Sequence, residues 1–262
     1  MTIKDVVQVL EQIAPPHLQE SYDNAGLITG HPDTPLSGVL CCLDSTEAVV
    51  EEAVRKNCNL VVAHHPIVFR GLKRFNGSNY VERTVISALR HDVALYAIHT
   101  NLDNVYRHGV NEKIAEKIGL LNTRILAPKP GTPEIGAGLI GELAQPVPEA
   151  VFLQHLRQTM QTACVRHTAL RGRSVQRVAV CGGAGSFLVA DALRAGADVF
   201  VSADFKYHEF FDAEERLVIA DIGHFESEQF TIELLFNLIR EKFPNFALHL
   251  TETTTNPVHY LF

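Results

Sequence analysis

Asn59-Leu60-Val61-Val62-Ala63-His64-His65-Pro66 is the stretch whose reading decides the fold. Leu60 to Ala63 form a short apolar run rich in β-branched residues, bounded by polar residues and a proline. Such a run reads as a buried strand of a parallel sheet. Pro66 has no N–H for a ladder hydrogen bond, so the strand leaves its sheet at the two histidines. In open α/β sheets the carboxyl ends of strands are where ligands bind. Neighbouring side chains of a regular strand point to opposite faces, but at a strand-to-loop break that alternation relaxes. Two adjacent imidazoles can then converge on one site or on two neighbouring ions. An average His-His pair is one core and one surface residue; the rest of this chain argues otherwise.

On the N-terminal side, residues 38–43 read as a second buried strand. It ends in Asp44-Ser45-Thr46, where Ser45 or Thr46 can cap a helix running through Glu47, Val50, Ala53 and Val54. Residues 3–13 read as a first helix stopped by Pro15-Pro16, and Tyr22-Asp23-Asn24-Ala25-Gly26-Leu27 as a turn-rich segment. On the C-terminal side an irregular, positively charged stretch covers 70–79. A helix near 80–90 then leads into a strand over 93–98 that ends in His99-Thr100-Asn101-Leu102-Asp103. A helix over 109–118 follows, with Gly119 as its C-cap. Pro128-Lys129-Pro130-Gly131-Thr132-Pro133 is the best linker candidate. Beyond it, 136–143 and 165–170 read as strands flanking a helix over 148–162.

The second half then repeats the first. Val178-Ala179-Val180-Cys181 answers Val39-Leu40-Cys41-Cys42, and Gly182-Gly183-Ala184-Gly185-Ser186 answers the Asp-Ser-Thr turn. A helix over 187–195 answers the one that starts at Glu47, and Val199-Phe200-Val201-Ser202-Ala203-Asp204 answers the His-His strand. Leu217-Val218-Ile219-Ala220-Asp221-Ile222 answers the strand before His99 and runs into Gly223-His224-Phe225-Glu226-Ser227-Glu228. Strand, turn, helix, strand, helix, strand occurs twice, which reads as a duplication of an α/β lobe. The expected division is an N-terminal lobe over 1–126 and a C-terminal lobe over 127–262, intertwined as one structural unit, with strand ends facing a shared cleft.

Composition narrows the function. With 262 residues, 46% hydrophobic and 20% charged, the chain has an ordinary globular balance. No run approaches the roughly 18–20 apolar residues of a membrane span, and the N-terminus lacks a secretory h-region. A formal net charge of −7 argues against a general nucleic-acid surface. Five cysteines without CxxC spacing, two of them adjacent in an apolar run, argue for reduced thiols in the cytoplasm and against a thiolate zinc site.

The strand ends supply His64, His65, Asp103, His224 and Glu228. His224 and Glu228 stand four apart at a helix start, which puts them on one side, one turn apart. Imidazole and carboxylate without sulfur suit zinc, iron, manganese or nickel. Five such ligands exceed what one tetrahedral ion uses. They suit two ions sharing a carboxylate and a bridging hydroxide, as in two-metal sites with ions roughly 3.5–4 Å apart.

The segments Tyr22-Asp23-Asn24-Ala25-Gly26, Ala63-His64-His65-Pro66, His99-Thr100-Asn101-Leu102-Asp103, Gly182-Gly183-Ala184-Gly185-Ser186, Lys206-Tyr207-His208 and Asp221-Ile222-Gly223-His224-Phe225-Glu226-Ser227-Glu228 together resemble the YbgI-like (Nif-three-like) family. Its members are often catalogued as GTP cyclohydrolase I type 2 homologs. The resemblance runs in order over nearly the whole chain. It implies a duplicated, intertwined three-layer α/β/α fold with a dinuclear metal site at the carboxyl ends of strands between the lobes. It also implies a toroidal homohexamer. By resemblance His65 and Asp103 hold one ion, His64 and His224 the other, and Glu228 bridges them. Two positions depart from the family pattern. Tyr22 stands where tryptophan is usual, and Arg107-His108-Gly109 replaces a paired glycine.

Three further residues are candidates for catalysis. Lys206 and His208 follow the strand end at Asp204 as proton donors or substrate contacts, and His99 can orient Asp103 or donate a proton beside the metals. The expected function is a dinuclear metal-dependent hydrolase of a small nucleotide-like substrate. The alternative is a non-catalytic metal-binding, storage or regulatory scaffold.

Overall fold

The structure, a computed structural model, describes residues 1–261. The chain divides into two compact units. The first joins Met1–Leu102 to Thr231–Pro257, and the second takes Asp103–Phe230 with the tail from Val258 on. The first unit is thus assembled from two stretches of chain far apart in sequence.

In the first unit five strands lie in the order β1-β4-β3-β2-β11: β1 Gly26–Thr29, β2 Val39–Asp44, β3 Leu60–His65, β4 Ala94–Ala97 and β11 Leu248–Leu250. β2, β3, β4 and β11 run parallel and β1 pairs antiparallel with β4. The helices of this unit are α1 Ile3–Ile13, α2 Glu47–Arg55, α3 Tyr80–Arg90 and α9 Thr231–Lys242. Alternate residues of the central strands (Leu40, Cys42, Val61, Ala63, Leu95) share one cluster with Val49, Val50 and Ala53 of α2 and Ala88 of α3. The residues between them, Val39, Cys41, Leu60 and Val62, are also buried, and α9 packs against β2, β3 and β11. Burial of both kinds of position explains why β2 and β3 read as unbroken apolar runs. Thr46 caps α2 by accepting from the Val49 N–H, as the Asp-Ser-Thr turn led one to expect. All five cysteines are free of disulfides.

In the second unit six strands lie in the order β5-β6-β8-β9-β10-β7: β5 Leu121–Lys129, β6 Thr132–Pro148, β7 Arg166–His167, β8 Ser174–Ala184, β9 Val199–Ala203 and β10 Val218–Asp221. Here β8, β9 and β10 are parallel, and β5, β6 and β7 join antiparallel. The helices are α5 Val110–Ile118, α6 Glu149–Thr159, α7 Val189–Arg194 and α8 His224–Glu228, with a 3-10 helix over Tyr207–Ala213. The short α4, Thr100–Asp103, carries the chain from the first unit into the second. Each unit therefore holds three parallel strands in sequence order, β2-β3-β4 and β8-β9-β10, as the repeat in the sequence implies. The second crossover differs, being α-helical in the first unit and 3-10 in the second.

Two local expectations need correction. Pro128 to Pro133 is no linker: it is the turn of the β5–β6 hairpin, with Lys129 paired to Thr132 and Gly131 at φ +75°. Turn and linker share a composition, and only the long strands on either side distinguish them. The expected strand at 165–170 shrinks to Arg166–His167. The 126/127 division of the sequence reading falls inside β5. Gly119 does cap α5, at φ +84° in the left-handed region that glycine adopts without strain. No helix of the described residues is long and apolar enough to cross a membrane.

Candidate metal centre

The first unit carries His64 and His65, and the second carries Asp103, His224 and Glu228. In the first unit His64 and His65 end β3, with ring centroids 4.8 Å apart. His99 follows β4, with its ring 5.3 Å from His64 and 5.4 Å from His65. Ligand nitrogens of all three lie within 4.8 Å of one another. His64 is fully buried. Its Nδ1 is 2.8 Å from the Ile98 carbonyl oxygen, which can only accept, so Nδ1 carries the proton and Nε2 the lone pair.

His65 is held from the neighbouring strand. Asp44 stands directly opposite it in the β2–β3 register, and the His65 Nδ1–H donates to Asp44 Oδ1 at 2.7 Å. The other oxygen of Asp44 accepts from the Thr255 hydroxyl at 2.6 Å. Burial raises the Asp44 pKa, but these two hydrogen bonds outweigh it and hold the carboxyl below its ordinary range. His99 is oriented in the same manner: its Nδ1–H donates to Asp23 Oδ1 at 2.8 Å, and the Thr100 hydroxyl donates to Oδ2. The Asp23 pKa is likewise opposed by burial and lowered by His99 and Thr100, to about 2.

In the second unit His224 and Glu228 open and close α8, one turn apart, with His224 Nε2 3.1 Å from Glu228 Oε2. The His224 Nδ1–H donates to Asp204 Oδ2 at 2.7 Å. Burial disfavours a charged ring, yet the hydrogen bonds to Asp204 and Glu228 raise the His224 pKa to about 11. Asp204, just beyond β9, adopts φ +58°, a left-handed conformation that costs about 1–2 kcal/mol outside glycine. The residue bears that strain while its carboxylate holds His224. Asp103 ends α4, and one of its carboxylate oxygens lies within 4.8 Å of one from Glu228. Burial first, then these same two carboxylates, push up the pKa of the nearby Cys181 thiol.

The glycines at the end of β8 serve this half of the site. Gly183 has φ +62°, and a Cβ there would stand 2.6 Å from Glu228 Oε1 and 3.3 Å from His224 Nε2. The Gly182 and Gly183 N–H groups donate to Asn111 Oδ1 and Ser227 Oγ. They are spent on positioning, and the turn lets the backbone approach the ligands closely. Gly183→Ala is therefore expected to move Glu228 and to weaken zinc affinity about tenfold or more. Titration of the apo-protein with a zinc indicator checks this, and unchanged affinity would mean the close approach is idle.

Of the remaining candidates, Lys206 is exposed just before the 3-10 helix Tyr207–Ala213 and His208 is exposed on it. The Lys206 N–H donates to Glu209, and His208 stacks on Phe211. What sequence reasoning missed is the set of carboxylates behind the histidines: Asp44 for His65, Asp23 for His99 and Asp204 for His224. Two of them, Asp44 and Asp204, are acidic residues at strand ends, which is the signal that could have found them.

The donor set fits divalent metal. Three histidines present Nε2 with Nδ1–H committed to oxygen, the arrangement that metal-ligating histidines use. In the second unit two carboxylates approach each other, which a cation would relieve.

Comparison with known proteins places this architecture. The sequence profile of Duf34/NIF3 (NGG1p interacting factor 3) matches residues 1–257. The chain belongs to the Duf34/NIF3 family. Among its relatives are the "GTP cyclohydrolase 1 type 2 homolog" of Clostridium perfringens, 31% identical with 87% of each chain covered, and that of Streptococcus pneumoniae, 30% identical over the whole of both. A crystal structure of a Bacillus cereus protein related to NIF3 superposes at TM-score 0.92, covering 100% of this chain and 99% of that one at 24% identity. The fold is thus the NIF3 fold, and the His64–His65 and His224–Glu228 pairs lie within the segment that the family profile matches.

Proposed function

We propose that this NIF3-family protein is a metal-dependent hydrolase of a small nucleotide-like substrate, with His64, His65, Asp103, His224 and Glu228 holding two divalent ions. The observation that carries the reading is the shared orientation: His64, His65 and His224 each donate Nδ1–H to a fixed oxygen, which leaves Nε2 of each ring as the candidate ligand atom. Zinc, iron, manganese or nickel suits this donor set. Bound there, the ions would supply hydroxide at neutral pH and Lewis acidity toward a developing oxyanion. The chain's own part is orientation and proton handling. Asp44, Asp204 and the Ile98 carbonyl fix the ligand rings. His99, backed by Asp23, stands beside His64 and His65 to accept or give a proton. Lys206 and His208 are assigned to substrate contact. The curated relatives' name supports a purine nucleotide with ring opening at a carbon, and the family resemblance supports a homohexamer in the cytoplasm.

The second reading, a metal-binding scaffold without turnover, draws on one observation: Lys206 and His208 stand exposed, their described contacts confined to their own 3-10 segment. Metal analysis joined to a screen of nucleotide hydrolysis, before and after chelation, separates the two. The hydrolase reading expects about two ions per chain and formate release from GTP that chelation stops. Two ions without turnover on any nucleotide would favour the scaffold, and failure to bind metal on reconstitution would end both.

A further inference from the structure

Within the first unit, beside His65, lies a cavity of about 800 Å³, inside the range of roughly 300–1,000 Å³ typical of small-molecule sites. It begins at His65 and Asp44 and extends past Phe69 and Arg70 to Tyr80 and Val81 at the start of α3. Phe69 and Tyr80 are 46% and 60% exposed, and both line the cavity, which gives it aromatic surface. Arg70 has no ion pair or hydrogen bond among the described residues. The acidic residue on the wall, Asp44, is already engaged by His65 and Thr255. The uncompensated charge of the cavity is therefore a single guanidinium at the end of an apolar, aromatic-walled space.

We infer that this cavity is the recognition pocket for a planar, ring-bearing anion, an aryl or heteroaryl phosphate or carboxylate, whose ring lies against Phe69 and Tyr80 and whose anionic group pairs with Arg70. Arg is suited to this because its fork meets phosphate and carboxylate oxygens two at a time. The position of His65 in the wall places such a ligand next to the proposed metal ligands. The inference rests on the hydrolase reading for its role in turnover, and on the cavity alone for binding.

Calorimetric titration of the chelated protein with guanosine monophosphate, phenyl phosphate and guanosine tests it. Binding of the two phosphates is expected to weaken about ten- to hundredfold in Arg70→Gln, the loss of one charge-assisted contact. Guanosine should be indifferent to that change, and Val81→Trp should weaken all three by filling the space. Arg74→Gln, on the same loop but off the cavity wall, is the control and should bind as the parent does. Arg70 is exposed and unpaired, so its variant keeps the fold, and a thermal melt verifies this. No binding of either phosphate up to millimolar concentration, or equal binding by the parent, Arg70→Gln and Val81→Trp, overturns the pocket. Phosphate binding without turnover in metal-loaded protein would end the hydrolase reading and keep the pocket. Turnover with an unchanged KM in both variants would end the pocket and keep the hydrolase.

Discussion

On the proposed two-ion centre, Glu228→Ala is expected to take metal loading from about two ions per chain to fewer than one, and any metal-dependent turnover with it. The cause is local to the second unit. Glu228 is 3% exposed, its carboxylate lies 3.1 Å from His224 Nε2, and it comes within 4.8 Å of an Asp103 oxygen. A methyl group in its place removes the carboxylate that faces His224 Nε2. The change also reaches His224 in the metal-free protein. Its ring titrates at about 11 because Asp204 and Glu228 outweigh the burial that opposes charge. A raised pKa means a stabilisation fully present below the ordinary value of 6.5 and lost as pH rises through about 11. Without Glu228 the ring should release its proton at lower pH, and the alkaline limb of the apo-protein's stability should move down with it. Metal analysis and a histidine NMR titration read the two effects. Full loading and turnover in Glu228→Ala would remove this residue from the centre.

The second large effect falls on stability. Glu52 of α2 is 1% exposed and gathers the segment after β11. Its carboxylate accepts from the Thr251 and Thr253 hydroxyls, both at 2.7 Å, from the Glu252 N–H at 2.8 Å and the Thr253 N–H at 3.2 Å. Lys56 Nζ stands 2.8 Å away. Burial raises the Glu52 pKa, but Lys56 and these donors bring it from 4.5 to about 2, worth on the order of 3 kcal/mol. The depressed value fixes the sign: the contribution is whole above pH 4.5 and is lost as pH falls through about 2. Glu52→Ala strands several donors and a lysine at once, so a loss of roughly 3–5 kcal/mol is expected. Urea unfolding at neutral pH measures it, and the gap between parent and variant should close in acid. A loss below about 0.5 kcal/mol would mean that the segment is held elsewhere.

Much of this was legible because short-range chemistry decides it. The run Leu60 to Ala63, short, β-branched and bounded by polar residues and a proline, read as a doubly covered strand, and Pro66 marked where His64 and His65 leave it. The spacing of His224 and Glu228 anticipated their 3.1 Å approach, since i and i+4 meet on any helix. The supporting carboxylates were hidden because their partners are remote. Asp23 meets His99 across 76 residues, Asp44 meets His65 across 21 and Asp204 meets His224 across 20. Their strand-end positions mark Asp44 and Asp204 as candidates, but nothing local tells which histidine each one supports. β5 escaped for another reason. Its burial is confined largely to Ile125 and Leu126, so neither alternation nor an apolar run announces it, and Pro128-Lys129-Pro130-Gly131 at its end mimics a spacer.

Because residues 231–257 complete the first unit, the unit begun first cannot close until most of the second has been made. A ribosome releases 1–102 with its sheet lacking β11 and the cover of α9, and then emits the whole of 103–230. The later-made unit has nearly all its sequence in hand before the earlier-made one can close. Thr255 reaches Asp44 only once 231–257 has been made, so His65 gains its full support after the whole of 103–230 has been emitted. Nascent chain would thus carry an incompletely braced His65 until the segment that bears Thr255 has been made and has joined the first unit.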